Sequence, residues 1–260
     1  NEVNIKNYIK NINTEINKLK LTLYISEDIV KNEKPAYFLY NNKDEEYIDN
    51  INEIIITEEV DNDDLDKIEK IIINGKEENE NDIKAFVPNV SGFYDVEIIF
   101  EEKIKSCRKM FMNCECIYDV DFSSFNMENI YDLSAMFENC INIKKVDLSN
   151  KNIENLENAE FMFYGCTKLI EINLNGLKTN KLKNLGYFLY GCSNLKNIDI
   201  SFLNLNNVMI MDNMFSYCFN LLNIKFPELI DNEKILSMDQ LFLGCWQIEQ
   251  IDLSSFQIHN

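Results

Sequence analysis

The sequence predicts an α/β fold in which parallel strands and short helices stack into a solenoid, preceded by a β-rich cap domain. The main observation is a fixed step between cysteines, which recur every 26 residues and, at the end, once after 27 residues. A constant period of about 20–50 residues is typical of arrays whose units stack because no unit can bury its apolar face alone. Six cysteines mark the units: Cys114, Cys140, Cys166, Cys192, Cys218 and Cys245.

Each unit also carries apolar residues at fixed distances from its cysteine. After Cys114, Val120 and Phe122 alternate with polar residues, and this period of two is expected of a half-buried strand. Before Cys140, Leu133, Met136 and Phe137 are three or four residues apart, which favours a helical or 3₁₀ turn. We therefore expect a short strand, a turn and a helical segment in each unit, as in a leucine-rich repeat.

Residues 136–149 and 241–254 show the full pattern, in which an apolar residue and Phe precede the cysteine and an Asp-Leu-Ser triplet follows the strand. This pattern resembles the BspA-like leucine-rich-repeat surface proteins, in the variant with a 26-residue repeat. The resemblance covers about five and a half units, residues 105–260. It implies a right-handed solenoid that serves adhesion and partner binding without catalysis, and it does not identify a ligand.

The first part of the chain has a different pattern. Apolar residues three or four positions apart predict an amphipathic helix over residues 1–20. Strand-like segments at 21–25, 36–40, 54–57 and 71–73, with a turn at Asn74-Gly75, predict a β-rich cap domain over residues 21–90. The solenoid then occupies residues 91–260, beginning with a cysteine-free repeat near Pro88 in which Tyr94 to Val96 form the strand and Ile104 a core position.

Composition narrows the classes of partner. The chain has 44 acidic and 25 basic residues and a net charge of −19, so we expect neither nucleic acid nor an anionic membrane as a partner. The chain has no apolar run of about 18 residues, so we expect no insertion into a membrane. Frequent Asn, Ile and Lys suggest an AT-rich genome such as that of a protist. Because the chain lacks an initiator Met and stops within a repeat, we expect a piece of a longer protein, with either further repeats or an end-to-end contact at the uncapped last repeat.

We call the six repeat cysteines the cysteine ladder. The ladder is expected to be a structural row of buried thiols, since free cysteines are among the most buried residues. Disulfides between neighbouring units stay an alternative, because the spacing of adjacent strands lies within the range that disulfides allow. Cys107 falls in a core column. Cys116 falls in a polar column and is either an exposed thiol or the partner of Cys107 in a disulfide. A zinc site at Cys107, Cys114 and Cys116 is the weakest alternative.

The sequence indicates no catalytic residues, no metal site and no cofactor. His259 is the single histidine, so a Ser-His-Asp or Cys-His catalytic arrangement lacks support. No glycine-rich phosphate-binding motif occurs, so a nucleotide site lacks support as well. The acidic run at residues 61–66 lacks the Gly and Glu of an EF-hand loop and is better explained as a solvated loop.

Function is therefore expected on the outward side of the strands, where protein or glycan partners would bind. Tyr118, Ile170 and Leu222 are candidate apolar contacts, and Phe202 and Trp246 are further candidates if they are exposed. We expect Asp121 and Asp147 to lie one strand apart, compensated by Lys144 and Lys145, with each Asp also bonding the following Ser. The complete candidate set is Tyr118, Asp121, Lys144, Asp147, Ile170, Asn173, Lys196, Asp199, Leu222 and Lys225.

Two functional hypotheses remain open. The first is an extracellular or cell-surface binding module, which the resemblance and a glycan acceptor sequence at Asn89-Val90-Ser91 favour. The second is an intracellular structural or cytoskeletal spacer, which free thiols favour because a reducing compartment preserves them. An enzyme ranks below both.

Overall fold

The computed structural model describes residues 17–32, 36–37, 68–77, 85–86, 88–100, 103–228, 230 and 233–256. These residues form eleven strands and one helix. In chain order the elements are β1 Asn17–Ile25, α1 Glu27–Lys31, β2 Ala36–Tyr37, β3 Ile68–Ile73, β4 Lys76–Glu77, β5 Ala85–Phe86, β6 Gly92–Phe100, β7 Ile117–Asp121, β8 Lys145–Asp147, β9 Glu171–Asn173, β10 Asn197–Asp199 and β11 Asn223–Lys225.

The largest sheet has five strands in the order β4-β3-β6-β1-β7, and every neighbouring pair is antiparallel. Its central pair, β1 and β6, stays in register over nine residues. In β1 the alternation of Leu19, Leu21, Leu23 and Ile25 buries one side of the strand. The predicted amphipathic helix is wrong for residues 17–20, because the alternation of β1 begins there; residues 1–16 lie outside the described residues.

The predicted α/β class, a right-handed leucine-rich-repeat solenoid of parallel strands and short helices, is wrong. The dominant sheet is antiparallel, and within the described ranges the one helix is α1, which has five residues. The segment before each cysteine consists of turns. It contains a residue with positive φ in every repeat, at Lys109, Ala135, Phe161, Tyr187, Asn213 and Gln240. A left-handed residue cannot continue a right-handed helix, so the three- and four-residue spacing reflects turns.

The 26-residue period nevertheless corresponds to a structural unit, which we call a layer. Val146 in β8 pairs in parallel with Ile172 in β9, and Ile198 in β10 pairs in parallel with Ile224 in β11. The turn segments form further parallel bridges, which connect Asp132, Asn158, Asn184, Ile210 and Ser237 in order. Backbone N–H groups of one layer therefore donate to carbonyls of the next, as from Leu133 to Asn158 at 2.9 Å.

One continuous core joins the antiparallel sheet and the layers. Phe111, Phe137 and Phe163 are buried in successive layers with ring centroids 5.4 and 5.6 Å apart. The five-stranded sheet takes strands from both sides of the predicted domain boundary at residue 90. Within the predicted cysteine-free repeat, Ile104 is buried and Ser106 bridges to Asp132 in parallel, whereas Tyr94 to Val96 lie in antiparallel β6.

Three of the predicted strand segments in the N-terminal part correspond to β1, β2 and β3, and residues 54–57 lie outside the described ranges. Asn74 and Gly75 form the two-residue connection between β3 and β4, with φ of 48° and 77°. Positive φ at both central residues is what a type I′ hairpin turn requires, so the predicted Asn-Gly turn is confirmed.

Candidate functional site

The candidate site is the outward side of strands β7 to β11, together with the residue that precedes each of β8 to β11; we call it the strand face. Inward residues such as Val146, Ile172 and Ile198 are buried, so the residues beside them point to solvent. Ile170 and Leu222 are 49% and 40% exposed. The lysines of the candidate set are exposed, whereas Tyr118, Asn173 and Asp199 are half-buried.

Three aromatic side chains form a cluster at the β7 end of the strand face. Tyr24 of β1 is paired in register with Phe93 of β6, and their ring centroids are 5.3 Å apart. Phe93 also contacts Tyr118 edge-to-face at 5.2 Å. Lys144 Nζ lies 4.9 Å from the centroid of the Tyr118 ring and donates to its hydroxyl at 3.2 Å. Phe93 and Tyr24 are 60% and 45% exposed, so the cluster is accessible to a partner.

Tyr24 and Phe93 were not among the residues predicted from sequence. Their outward position follows from the alternation of β1 and β6, but their proximity to Tyr118 depends on antiparallel pairing between segments about 70 and 95 residues apart in the chain. The available signal was the isolated aromatic residue at an outward position of each strand.

The acidic residues at the strand ends have a structural role. The carboxylate Oδ1 atoms of Asp121, Asp147, Asp199 and Asp252 each accept a hydrogen bond from the backbone N–H two residues later, at 2.7–2.9 Å. Asn173 makes the same turn through its amide oxygen. The hydrogen bonds from Ser123 lower the pKa of Asp121, and those from Ser149 lower the pKa of Asp147. The predicted bond between each aspartate and the serine that follows two residues later is confirmed.

The predicted compensation of Asp121 and Asp147 by Lys144 and Lys145 is wrong. Lys151 is the cation that interacts with both carboxylates, and it donates to the carbonyls of Phe122, Ser123 and Phe125. Burial lowers the pKa of Lys151, and the two carboxylates oppose that shift.

The other lysines of the strand face have separate roles. Lys145 forms a salt bridge with Glu171 in the next layer, and Lys225 Nζ forms one with Asp199 Oδ2 at 3.2 Å. Lys144 makes a cation-π contact with the Tyr118 ring. Lys225 Nζ also lies 5.9 Å from the ring centroid of Phe202, which is exposed. Lys196 makes no ion pair within the described part of the chain.

The cysteine ladder connects neighbouring layers through hydrogen bonds. From the second cysteine onward, each thiol lies 2.9–3.1 Å from a backbone carbonyl oxygen of the preceding layer. The donors Cys140, Cys166, Cys192, Cys218 and Cys245 bond the carbonyls of Phe111, Phe137, Phe163, Leu189 and Phe215 respectively. The ladder is therefore a set of bonded core thiols, which agrees with the structural interpretation.

All eight cysteines are free, and seven are buried. Cys107 lies in the core, as predicted, and forms no disulfide with Cys116. The prediction that Cys116 is exposed is wrong, since pairing of β1 with β7 covers it. Burial raises the pKa of Cys116 and Cys245 to about 11. These thiols are therefore protonated at neutral pH and are poor nucleophiles and metal ligands.

Neither a metal centre nor a membrane span is present in the described residues. No three His, Cys, Asp or Glu side chains there are placed to hold a metal ion, and no helix there is long and apolar enough to cross a membrane. His259 and the acidic run at residues 61–66 lie outside the described ranges. The acceptor sequence at Asn89 to Ser91 is exposed at a bend before β6.

A second row of aromatic residues lies on the turn side of the layers, and Trp246 is the one member that was named from sequence as a candidate. Phe161 stacks on Tyr187, and Tyr164 stacks on Tyr190, both with centroids 4.7 Å apart. These rings are half-buried and nearly parallel to their partners, so the stacked faces are in contact with each other and are not available to a ligand. Trp246 stacks on Phe219 at 4.8 Å and is 77% exposed. The row was visible as aromatic residues in equivalent positions of consecutive repeats.

Comparison with protein families assigns the repeat region to a known family. A family model described as "Mycoplasma protein of unknown function, DUF285" matches residues 81–201 and again residues 187–260. Together the two matches cover more than two thirds of the chain. Neither a curated protein nor a solved structure matched. The chain is therefore a repeat protein that belongs to the family described as Mycoplasma protein of unknown function, DUF285.

Proposed function

We propose that this protein is a non-catalytic scaffold that binds a protein or glycan partner through its strand face, on the cell surface or as a secreted protein. The observation that carries the proposal is the exposed aromatic cluster of Tyr24, Phe93 and Tyr118, with the exposed Ile170 and Leu222 farther along the same face beyond Lys144 and Lys196. The resemblance to BspA-like surface repeats supports the same class of function.

Physical reasoning favours a binding role for this cluster. An exposed aromatic side chain forgoes the free energy that its burial would provide, about 1.5–3 kcal/mol for a residue of this size. Contiguous exposed apolar groups with a polar surround are typical of interaction sites, and tyrosine is enriched there because its body is apolar and its hydroxyl can bond. The Lys145–Glu171 and Lys225–Asp199 pairs form such a surround.

The test uses the full chain on arrays of extracellular-matrix proteins and of glycans. A strand-face variant replaces Phe93, Tyr118 and Ile170 by Ser. A matched control replaces Leu236 and Trp246 by Ser, because these residues are also exposed and apolar but lie in the last described layer. We expect the strand-face variant to weaken binding to an array ligand by at least about tenfold, and the control by less than about twofold. Equal losses, or no ligand on either array, would contradict the proposal.

An intracellular structural or cytoskeletal spacer is the second candidate. The observation that favours it is the set of eight free thiols, which a reducing compartment preserves. The partner would then be a further copy, in end-to-end contact through the last layer, where Leu236 and Trp246 are 78% and 77% exposed. A membrane-impermeant amine-labelling reagent on intact cells separates the candidates, since it labels a surface protein and leaves an internal one unlabelled.

A further inference from the structure

The strand face carries a line of five residues, one per layer, which we call the stripe: Tyr118, Lys144, Ile170, Lys196 and Leu222. Apolar and cationic side chains alternate along it, and it contains no acidic residue. Backbone bonds hold the layers in place beneath it, from Ile170 N–H to the Lys144 carbonyl at 2.9 Å and from Leu222 N–H to the Lys196 carbonyl at 2.8 Å. The stripe residues therefore start from backbone positions that these bonds hold in a fixed order.

The spacing of the stripe selects a type of partner backbone. Adjacent strands are about 4.7–4.9 Å apart, so successive stripe residues repeat at that distance. Same-face side chains of an extended peptide repeat at about 6.4–6.8 Å, and a row of four such side chains would fall out of step with the stripe. The turns of an α-helix repeat at about 5.4 Å, a difference that flexible side chains absorb over a few layers.

The charges of the stripe select the chemistry of that helix. Lys144 is bound to a tyrosine ring and Lys196 has no ion pair in the described residues, whereas the neighbouring Lys145 and Lys225 are neutralised by carboxylates. The apolar positions of the stripe, one between the two lysines and one on either side of them, require apolar residues on the partner. An amphipathic helix that alternates apolar and acidic residues from turn to turn on its contact face satisfies both requirements.

We infer that the partner presents an acidic amphipathic α-helix, which lies across the strands along the stripe with its large apolar residue against the Tyr24–Phe93–Tyr118 cluster. This inference rests on the proposed function and adds the class of ligand. Helix-in-groove recognition uses apolar anchors that repeat along one face of the helix. The apolar stripe residues are two layers apart, about 9.4–9.8 Å, so they would meet anchors two helical turns apart, about 10.8 Å, with the acidic residues on the turns between them.

Two randomised peptide libraries displayed on phage test the inference with the full chain as target. One library consists of helices closed by side-chain bridges, and the other of linear peptides with proline at every third position. We expect enrichment from the helical library only, with apolar residues two turns apart and Asp or Glu on the turns between them. Enrichment of extended or basic peptides would overturn the inference, and so would no enrichment from either library.

Charge reversal then locates the bound helix. Lys144→Glu with Lys196→Glu should weaken binding of the selected peptide by at least about tenfold, and a Glu-to-Lys version of the peptide should restore it. The control Lys181→Glu with Lys234→Glu, at exposed positions in turns outside the strand face, should change binding by less than about twofold. Equal effects would overturn the placement. Failure of these peptide tests leaves the array result unaffected, so the two proposals can fail separately.

Discussion

Replacement of Cys166 by Ala measures what the cysteine ladder contributes to the contact between layers. Cys166 is fully buried, and its thiol donates to the carbonyl of Phe137 in the preceding layer at 3.0 Å. The same carbonyl accepts a backbone hydrogen bond from Cys140 N–H, also at 3.0 Å. The carbonyl therefore keeps one partner in the variant, and no buried acceptor is left unsatisfied.

The expected cost has two parts. The loss of one buried sulfur, which is similar in size to a methylene group, costs about 1 kcal/mol including the small cavity. The loss of the thiol hydrogen bond adds about 0.5–1 kcal/mol, toward the low end because a thiol is a weak donor. We expect Cys166→Ala to lower the free energy of unfolding by about 1.5–2 kcal/mol.

Cys116→Ala is the matched control, because Cys116 is also buried but its thiol forms no hydrogen bond to another layer among the described residues. It should cost about 1 kcal/mol. Urea unfolding followed by circular dichroism gives both values, with the slope of the transition unchanged. If the two variants lose the same free energy, the thiol bonds between layers do not stabilise the fold.

Three further predictions concern stability. Gly165→Ala should lower the free energy of unfolding, measured with urea, more than Gly75→Ala does. Both glycines have positive φ, but the new Cβ at 165 would lie 2.3 Å from Asn139 Oδ1, whereas that at 75 would meet nothing within 4 Å. Equal losses would refute the role of the close contact. Burial raises the pKa of Glu138 to about 7 from a usual 4.5, so the folded state loses stability as pH rises through that interval. Glu138→Gln should therefore stabilise the protein by about 2–3 kcal/mol at pH 8 and not at pH 4, and an equal gain at both would contradict the cause. The pKa of Asp121 is lowered by the backbone N–H of Ser123, so its contribution is present above the unfolded value of 3.8 and disappears as pH falls through the folded value. Asp121→Asn should lower the midpoint of thermal unfolding at pH 7 and lower it less as pH falls below 3.8, and an equal loss at every pH would indicate a steric effect.

The layers could be predicted from sequence because their constraint is local and repeated. A cysteine in one column and apolar residues three, six and eight positions later identify the buried residues, as Cys166, Leu169, Ile172 and Leu174 show. The outward positions, including Ile170, follow from the alternation within each strand. The hydrogen bonds of the strand-end aspartates follow from the preference of Asp for bonding the backbone two residues later.

The remaining features depend on information that the repeat does not contain. The turns before each cysteine have helical spacing, and only the backbone conformation of residues such as Ala135 and Phe161 excludes a helix. The pairing of β1 with β6 and β7 joins distant segments, and it determines both the burial of Cys116 and the position of Tyr24 beside Phe93. Long-range antiparallel pairing has no local signature, so the fold class and two of the three residues of the aromatic cluster were missed.

The central claim is that the strand face is the surface that binds a partner. Hydroxyl-radical footprinting of the full chain, with and without a ligand identified on the arrays, tests it most directly because oxidation reports the exposure of each side chain. We expect the ligand to reduce labelling of Phe93, Tyr118, Ile170 and Leu222 severalfold and to leave Trp246 unchanged. Protection of Trp246 with unchanged labelling of the other four residues would contradict the claim.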